Sequence, residues 1–200
     1  MSNERKMEPF IIFGLGNPGR EYEKTRHNIG FIALDKFSMD WKIDMTRVRF
    51  KSLVGEGKYD GNRIYLVKPL TYMNNSGNSV RSFMRFYKVE PERILVIHDD
   101  LDLPFGSIRL RESGGSAGQR GMQSIISRIG TDEFARLRIG IGRPPGNMDA
   151  VNYVLKKFSN NSESDLGLVL DHVVRCVETL LAEGVEKAMT LYNRSVLQDE

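Results

Sequence analysis

His27 lies among polar, turn-forming residues, in the run Thr25-Arg-His-Asn28, with no apolar neighbour before Ile29. An imidazole is the usual general base near neutral pH, and a carboxylate is needed to fix its tautomer and orientation. The best-placed carboxylate is Asp99, directly after the apolar run Ile94-Leu-Val-Ile97. The sequence therefore predicts a His27–Asp99 catalytic pair, and the alternative is a histidine that only caps a turn or lies at the surface.

Asp99, Asp100 and Asp102 form an acidic cluster whose carboxylates could supply oxygen ligands to Mg²⁺. Side chains alternate between the two faces of a strand, so three carboxylates at a strand end cannot all point at one ion. We therefore predict a site without a metal ion, and we expect no cofactor.

The run Gly14-Leu-Gly16-Asn-Pro-Gly19 fits the Gly-x-Gly-x-x-Gly pattern of dinucleotide-binding folds. Pro18 removes a backbone N–H where a pyrophosphate would need a donor. The acidic residue that such folds place about 20 residues later would be Asp35, which falls within a helical pattern and not at the end of a strand. These details argue against a dinucleotide cofactor.

The run Gly114-Gly-Ser116-Ala-Gly118 matches the Gly-x-Ser-x-Gly elbow that carries the nucleophile of serine hydrolases. The histidine that follows it in the chain is His172, which lies within a predicted helix and is expected at the surface. We instead predict a mobile, glycine-rich lid loop over 113–121. Cys176 lies on an apolar helical stripe, which predicts a core residue and not a nucleophile.

The positive charge of the chain is concentrated in one segment. Residues 106–143 contain seven arginines and three acidic residues, a net charge of 7 − 3 = +4, whereas the whole chain carries +3. Arginine presents paired donors that suit phosphate groups. The segment therefore predicts a face that binds an anion, and a solvated surface with local ion pairs is the alternative. The arginines are Arg109, Arg111, Arg120, Arg128, Arg136, Arg138 and Arg143.

Apolar strands alternate with amphipathic helices along the chain. Strands are predicted over 9–14, 94–97, 108–111 and 134–141, and a hairpin over 50–59 and 63–68. Helices are predicted over 28–41, 76–87, 122–129, 149–157 and 164–182. This alternation is typical of an α/β fold, and we expect a single globular domain with a mixed, mainly parallel twisted sheet flanked by helices. The carboxyl end of a buried parallel strand, where Asp99 lies, is a common place for a functional site.

Length and composition narrow the class of protein. A chain of 200 residues suits one domain, predicted to span 1–200 with an ordered core over 8–194. Hydrophobic residues make up 40% and charged residues 28%, and no apolar run reaches the roughly 20 residues of a membrane-spanning helix. We expect no membrane association. The N-terminal residues lack the apolar core of a secretory signal and the chain has one cysteine, which favours the cytoplasm.

Five motifs occur in a fixed order along the chain: Gly14-Leu-Gly-Asn-Pro-Gly-x-x-Tyr22, Thr25-Arg-His-Asn28, Met73-Asn74-x-Ser-Gly77, His98-Asp-Asp-Leu-Asp-Leu-Pro104 and Arg138-Ile-Gly-Ile-Gly142. In this order and at this spacing they resemble the bacterial-type peptidyl-tRNA hydrolase family, and the likeness runs from about Phe10 to Asn193. The resemblance implies a monomeric, metal-free hydrolase. Such an enzyme cleaves the ester between an N-blocked peptide and the 3′-terminal ribose of tRNA, and so recycles the tRNA.

The resemblance also implies roles for individual residues. His27 would activate water and Asp99 would orient His27. The residues expected to bind the peptide and the terminal ribose are Asn17, Tyr22, Tyr72, Asn74 and Arg120. Arg111 and Arg138 match the family's clamp on the 5′ phosphate of tRNA, so the expected partner is peptidyl-tRNA, held by its acceptor stem and 3′ end.

One departure from the family concerns the lid loop, where Gln119-Arg120 replaces a His-Asn pair. In the family that asparagine contacts the reacting ester or its water, whereas an arginine donates hydrogen bonds but cannot accept them. The departure raises a second hypothesis, a weakly active or inactive relative that binds tRNA or structured RNA. The presence of His27 and Asp99 favours the hydrolase, because a pure binding protein has no use for a base and its orienting carboxylate.

Overall fold

The computed structural model describes residues 8–158 and 163–197 of the chain. Within these residues the strands are β1 (Phe10–Gly14), β2 (Met45–Arg49), β3 (Ser52–Tyr59), β4 (Asn62–Pro69), β5 (Ile94–Asp100), β6 (Ile108–Arg111) and β7 (Ala135–Gly140). The α-helices are α1 (Ile29–Asp40), α2 (Ser76–Tyr87), α3 (Arg120–Ile129), α4 (Ala150–Val154), α5 (Glu163–Glu183) and α6 (Val185–Tyr192).

The strands form one sheet in the order β2-β3-β4-β1-β5-β7-β6. The central pairs β4–β1, β1–β5 and β5–β7 are parallel, whereas β3 and β6 run antiparallel to their neighbours. Five of the seven strands therefore share one direction, with β3 and β6 reversed. The predicted α/β fold with a mixed, mainly parallel sheet is confirmed.

The central strand β1 is buried along its whole length, which explains its unbroken apolar sequence. Phe10 and Ile12 belong to a core that includes residues of α1, α5 and α6. Ile11 and Phe13 belong to a second core, which includes residues of α2 and α3. Helices therefore cover both faces of the sheet, and the molecule has three layers.

α1 begins in close contact with the carboxyl ends of β1 and β5, and glycine makes this contact possible. A Cβ atom on Gly14 would lie 2.2 Å from the carbonyl oxygen of Gly30, and one on Gly30 would lie 2.5 Å from the carbonyl oxygen of Ile97. Between them, the backbone N–H of Leu15 donates to Ile97 at 2.9 Å. A 3-10 turn, Arg26–Asn28, precedes α1 and therefore lies at the end of β5.

Two elements were not predicted from the sequence. β2 is an edge strand whose residues are mostly exposed, so it lacks an apolar pattern. α6 follows Gly184, whose φ of 91° ends α5. The predicted surface position of His172 is wrong, because this residue of α5 is 7% exposed and its Nε2 lies 3.0 Å from the carbonyl oxygen of Tyr192 in α6.

The prediction that Cys176 is a core residue is confirmed, since its side chain is fully buried. Burial raises the pKa of its thiol to about 12, so a thiolate nucleophile is not formed there at neutral pH. In the part of the chain that the structure describes, no helix is both long enough and apolar enough to cross a membrane.

Candidate active site

His27 and Asp99 are in direct contact, although 72 residues separate them in the chain. The Nδ1 atom of His27 lies 2.8 Å from Oδ2 of Asp99. The 3-10 turn before α1 carries the histidine and the end of β5 carries the carboxylate. A carboxylate accepts hydrogen bonds, so Nδ1 is the protonated nitrogen and Nε2 keeps the lone pair that a base needs.

Gln119 holds the second oxygen of Asp99, a contact that was not predicted. Its Nε2 donates to Oδ1 of Asp99 at 3.0 Å. Its Oε1 accepts from the backbone N–H of Met122 at 2.8 Å and so caps α3. Because the cap fixes which end of the amide is the acceptor, the NH₂ group must face Asp99. The sequence signal was limited to a polar residue before a helix, which predicts a cap but not a contact with residue 99.

The environment of Asp99 keeps its carboxylate charged. Burial alone would raise the pKa of Asp99, but the charge and hydrogen bond of His27, together with the hydrogen bond from Gln119, bring that pKa below its usual value. Asp99 is therefore ionised at neutral pH, and it can stabilise an imidazolium that forms on His27.

The neighbouring carboxylates have partners of their own. Asp100 accepts from Nε of Arg138 at 2.5 Å and from the backbone N–H of Asp102 at 2.8 Å. Asp102 forms an ion pair with Arg143 at 2.6 Å. The three carboxylates therefore point at three different groups. Within residues 8–158 and 163–197 there is no cluster of three or more histidine, cysteine, aspartate or glutamate side chains that could hold a metal ion.

Asn17 is held by the backbone of Met73 and by the side chain of Asn28. Its Oδ1 accepts from the backbone N–H of Met73 at 2.8 Å. Its own N–H donates to Oδ1 of Asn28 at 2.9 Å, and Nδ2 of Asn28 donates back to the carbonyl oxygen of Asn17 at 2.9 Å. With its oxygen engaged, the side chain of Asn17 offers its Nδ2 as a donor.

A cavity of about 400 Å³ lies over this group of residues. Its polar lining includes His27 and Asp99, and α4 supplies an apolar wall. Of the residues predicted to bind substrate, the cavity is lined by Asn17, Tyr72, Asn74 and Arg120. Tyr22 does not line it, contrary to expectation. Its carbonyl oxygen instead accepts from the backbone N–H and the hydroxyl of Thr25, in the turn that leads to His27.

The structure shows the setting of the two glycine-rich motifs, the serine-elbow-like run 114–118 and the dinucleotide-like run 14–19. Ser116 lines the cavity, but the histidine that follows it in the chain, His172, is bonded to Tyr192, so the structure forms no Ser116–His172 pair. Gly14 of the dinucleotide-like pattern serves the contact between β1 and α1. Asp35 lies in α1 and pairs with Lys68.

The arginines of residues 106–143 do not all face solvent. Arg109 and Arg111 are exposed on β6, whose partners in the register are Arg138 and Arg136 of β7. Arg136 is 2% exposed and donates to backbone carbonyls, among them that of Gly114 at the base of the lid loop. Arg138 is half-buried, with its Nε held by Asp100. Arg136 is thus structural, while Arg109, Arg111 and Arg138 remain available to a ligand.

Comparisons with known proteins identify the family to which this chain is similar. A family model described as peptidyl-tRNA hydrolase matches residues 11–200. The peptidyl-tRNA hydrolases of Chloroflexus aggregans and Gloeobacter violaceus are 49% and 47% identical to this chain, over 92% and 94% of it and 98% and 95% of those proteins. The crystal structure of peptidyl-tRNA hydrolase from Acinetobacter baumannii matches with a TM-score of 0.88 and 39% identity, covering 94% of this chain and 97% of that one.

Proposed function

Because the chain belongs to the peptidyl-tRNA hydrolase family, we propose that His27 is its general base and that Asp99 orients this base. The protein is a hydrolase that acts on the ester bond of peptidyl-tRNA. The observation that carries the assignment of His27 is its 2.8 Å contact with a buried carboxylate at the edge of a cavity. That contact leaves Nε2 as the basic nitrogen.

The reaction needs no covalent intermediate with the enzyme. Nε2 of His27 takes a proton from water, and the water oxygen attacks the carbonyl carbon of the ester. The bond from that carbon to the ribose oxygen then breaks, and the proton passes from the imidazolium to the leaving oxygen. The products are a tRNA whose 3′-terminal ribose carries a free hydroxyl and a peptide with a free carboxyl group, which releases its proton to solvent. Asp99 stabilises the imidazolium between the two proton transfers.

Asn17, Asn74, Tyr72 and Arg120 complete the site by binding the substrate around the ester. Asn17 is the best-supported member, because its Oδ1 is held by Met73 and its Nδ2 is left to donate to a carbonyl oxygen of the peptide. Asn74 and Arg120 are exposed at the cavity and suit the hydroxyl groups of the terminal ribose. Tyr72 adds an aromatic surface that is 61% exposed.

Arg111 and Arg138 bind the 5′ phosphate at the end of the acceptor stem. Their support is the exposure of Arg111 at the end of β6 and the position of Arg138 on the neighbouring strand β7. Asp100 orients Arg138 through Nε, which leaves the terminal nitrogens of this guanidinium for a phosphate. We further propose that the enzyme acts as a monomer in the cytoplasm, where translation supplies its substrate. One chain carries every residue assigned to the site.

The alternative, an RNA-binding relative without efficient hydrolysis, is not favoured. It rested on Gln119-Arg120, and Gln119 serves the catalytic pair by donating to Asp99. The chain also shares 49% identity with a protein named peptidyl-tRNA hydrolase over 92% of its length.

The proposed function can be tested by incubating the purified protein with tRNA charged with a labelled, N-acetylated amino acid. We expect release of the labelled acid, and we expect EDTA and a serine-directed inhibitor to leave the rate unchanged. Tight tRNA binding without release would support the RNA-binding alternative. Loss of activity with the inhibitor would implicate Ser116 and contradict the role of His27.

A further inference from the structure

A second cavity, of about 680 Å³, lies beside the catalytic one, and Tyr72 lines both. Its walls are the turn between β2 and β3 at Phe50 and Lys51, the segment after β4, and the first turns of α2. Of the residues assigned above to the proposed site, the shared Tyr72 alone is among those lining this cavity. Its volume is within the range of cavities that bind small molecules or short peptide segments.

The lining of this second cavity combines polar and apolar groups and is almost uncharged. Asn75, Asn78 and Ser82 contribute amide and hydroxyl groups from α2 and the turn before it. Thr71 adds a hydroxyl whose oxygen is buried and has no hydrogen-bond partner within the described part of the chain. Lys51 is the one charged residue among those lining the cavity, and no carboxylate is among them. Neutral donors and acceptors of this kind match the N–H and C=O groups of an extended peptide, whatever its side chains.

One wall of the second cavity is preformed. Phe50 and Lys51 have φ angles of 50° and 55°, a left-handed conformation that two-residue hairpin turns usually assign to Asn-Gly. The ring of Phe50 packs edge-on against Phe83, with centroids 5.1 Å apart. The carbonyl oxygen of Lys51 accepts from the backbone N–H of Leu70 at 2.7 Å. Unfavourable backbone conformations that surrounding contacts maintain are common at ligand-binding sites.

The order of the strands places this cavity and the arginines of β6 and β7 on opposite sides of His27 and Asp99. His27 and Asp99 lie at the ends of the central strands β1 and β5. Arg111 and Arg138 lie toward one edge of the sheet, on β6 and β7, whereas the second cavity lies toward the other edge, at β3 and β4. We propose, resting on the proposed function, that the second cavity binds the peptide of peptidyl-tRNA beyond its ester-linked residue.

The proposal predicts that the rate depends on peptide length. The wild-type protein is compared on two substrates, tRNA carrying one N-acetylated residue and tRNA carrying an N-acetylated peptide of about five residues. We expect kcat/KM to be higher for the longer substrate by about tenfold, the effect of one or two net hydrogen bonds. Ser82→Trp should fill the cavity and remove this advantage, while kcat/KM for the one-residue substrate stays unchanged. Met39→Trp, at a 67% exposed position on α1, is the matched control and should retain the length dependence.

Three outcomes would overturn the peptide site. Equal kcat/KM of the wild-type protein for both substrates would show that the second cavity does not bind the peptide. An equal loss on both substrates in folded Ser82→Trp would indicate contact with the 3′ nucleotides of the tRNA instead. Asn78→Ala, a milder change, should lose part of the length dependence, and full retention in both variants would also contradict the site. If the wild-type protein cleaves neither substrate, the proposed function itself fails, and the peptide site fails with it.

Discussion

His27, Asp99 and Gln119 form a chain of hydrogen bonds at the proposed catalytic centre. Asp99 accepts from His27 through one oxygen and from Gln119 through the other. Both contacts stabilise the ionised form of the carboxylate, and the ionised carboxylate keeps the proton of His27 on Nδ1. Gln119 is therefore a positioning residue that acts through Asp99.

Replacing the amide of Gln119 by a carboxylate tests this role. In Gln119→Glu the N-cap acceptor of α3 is retained, but the donor to Asp99 is removed and a like charge takes its place. We expect kcat/KM for a charged tRNA substrate to fall about 10- to 100-fold, the scale of a missing hydrogen bond to a charged group. Gln123→Glu, which adds the same charge at an exposed position of α3, is the control. Equal rates in the two variants would mean that Gln119 only caps the helix.

Asp99 also makes the stability of the protein dependent on pH. Its pKa in the folded protein is lowered, against the effect of burial, by His27 and Gln119. An ionised Asp99 therefore stabilises the fold above the ordinary carboxyl pKa of about 3.9, and this stabilisation is lost as the pH falls through the lower folded value. Between about pH 5 and pH 3, the free energy of unfolding in urea should fall further for the wild-type protein than for Asp99→Asn. Parallel curves for the two proteins would contradict the lowered pKa.

At the scale of whole elements, the contact between α1 and the sheet sets the distance from His27 to Asp99. The 3-10 turn that carries His27 leads directly into α1, which touches β1 and β5 where Gly14 and Gly30 leave no room for a side chain. A shift of α1 away from the sheet would therefore move the histidine away from the carboxylate.

Gly30→Ala should displace the start of α1. The added Cβ would lie 2.4 Å from the backbone nitrogen of Leu15, and backbone cannot rotate away as a side chain can. We expect a loss of about 1–3 kcal/mol in the free energy of unfolding, together with a fall in kcat/KM. Gly167→Ala, in α5 where a Cβ meets open space, should instead stabilise the protein by about 0.5–1 kcal/mol. A stable, fully active Gly30→Ala variant would contradict the close contact.

Strands with an unbroken apolar sequence could be predicted, whereas the exposed strand β2 and the short helix α6 were missed. β1 and the first four residues of β5 are apolar because both faces of the sheet are covered, and both strands were predicted, although β5 runs three residues further, to Asp100. β2 was missed because an exposed edge strand needs no apolar pattern. The omission of α6 led to a second error, since Tyr192 of α6 supplies the partner that allows His172 to be buried.

The candidate site could likewise be predicted only in part from the sequence. His27 and Asp99 could be proposed as a pair because each has a distinctive setting in the chain, a polar turn and the end of an apolar strand. Gln119 could not, since its hydrogen bond depends on how closely α3 approaches β5, and no local pattern records that distance. Tyr22 was expected at the cavity because it belongs to the first of the five motifs, whereas it does not line the cavity and its carbonyl oxygen serves the turn before His27.

Across the whole molecule, the strand order arranges three regions from one edge of the sheet to the other. Arg109 and Arg111 on β6 and Arg138 on β7 lie toward one edge, His27 and Asp99 lie at the ends of β1 and β5, and the second cavity lies toward the other edge, at β3 and β4. A substrate with a polyanion on one side of its reacting bond and a peptide on the other fits this order.

Arg111 and Arg138 predict how the binding of tRNA responds to salt concentration. In Arg111→Gln/Arg138→Gln, KM for tRNA substrates should rise, and the slope of log affinity against log salt should flatten by roughly 0.7–0.9 for each phosphate that the variant no longer neutralises. Asp100 keeps its backbone donors in this variant, so the fold should persist. Arg81→Gln/Arg85→Gln removes the same charge from exposed positions on α2 and should leave the slope unchanged. An unaltered slope in the first variant would show that Arg111 and Arg138 are only solvated surface.

The role of His27 as the general base is tested most directly by measuring hydrolysis and tRNA affinity on the same preparation of His27→Ala. The base acts in the chemical step and does not hold the tRNA, so kcat should fall by about 10²- to 10⁴-fold while the Kd for tRNA stays close to that of the wild-type protein. Ser116→Ala, a change at the same cavity, should alter the rate only modestly. A His27→Ala variant that hydrolyses its substrate at a near-normal rate would contradict the assignment of His27 as the catalytic base.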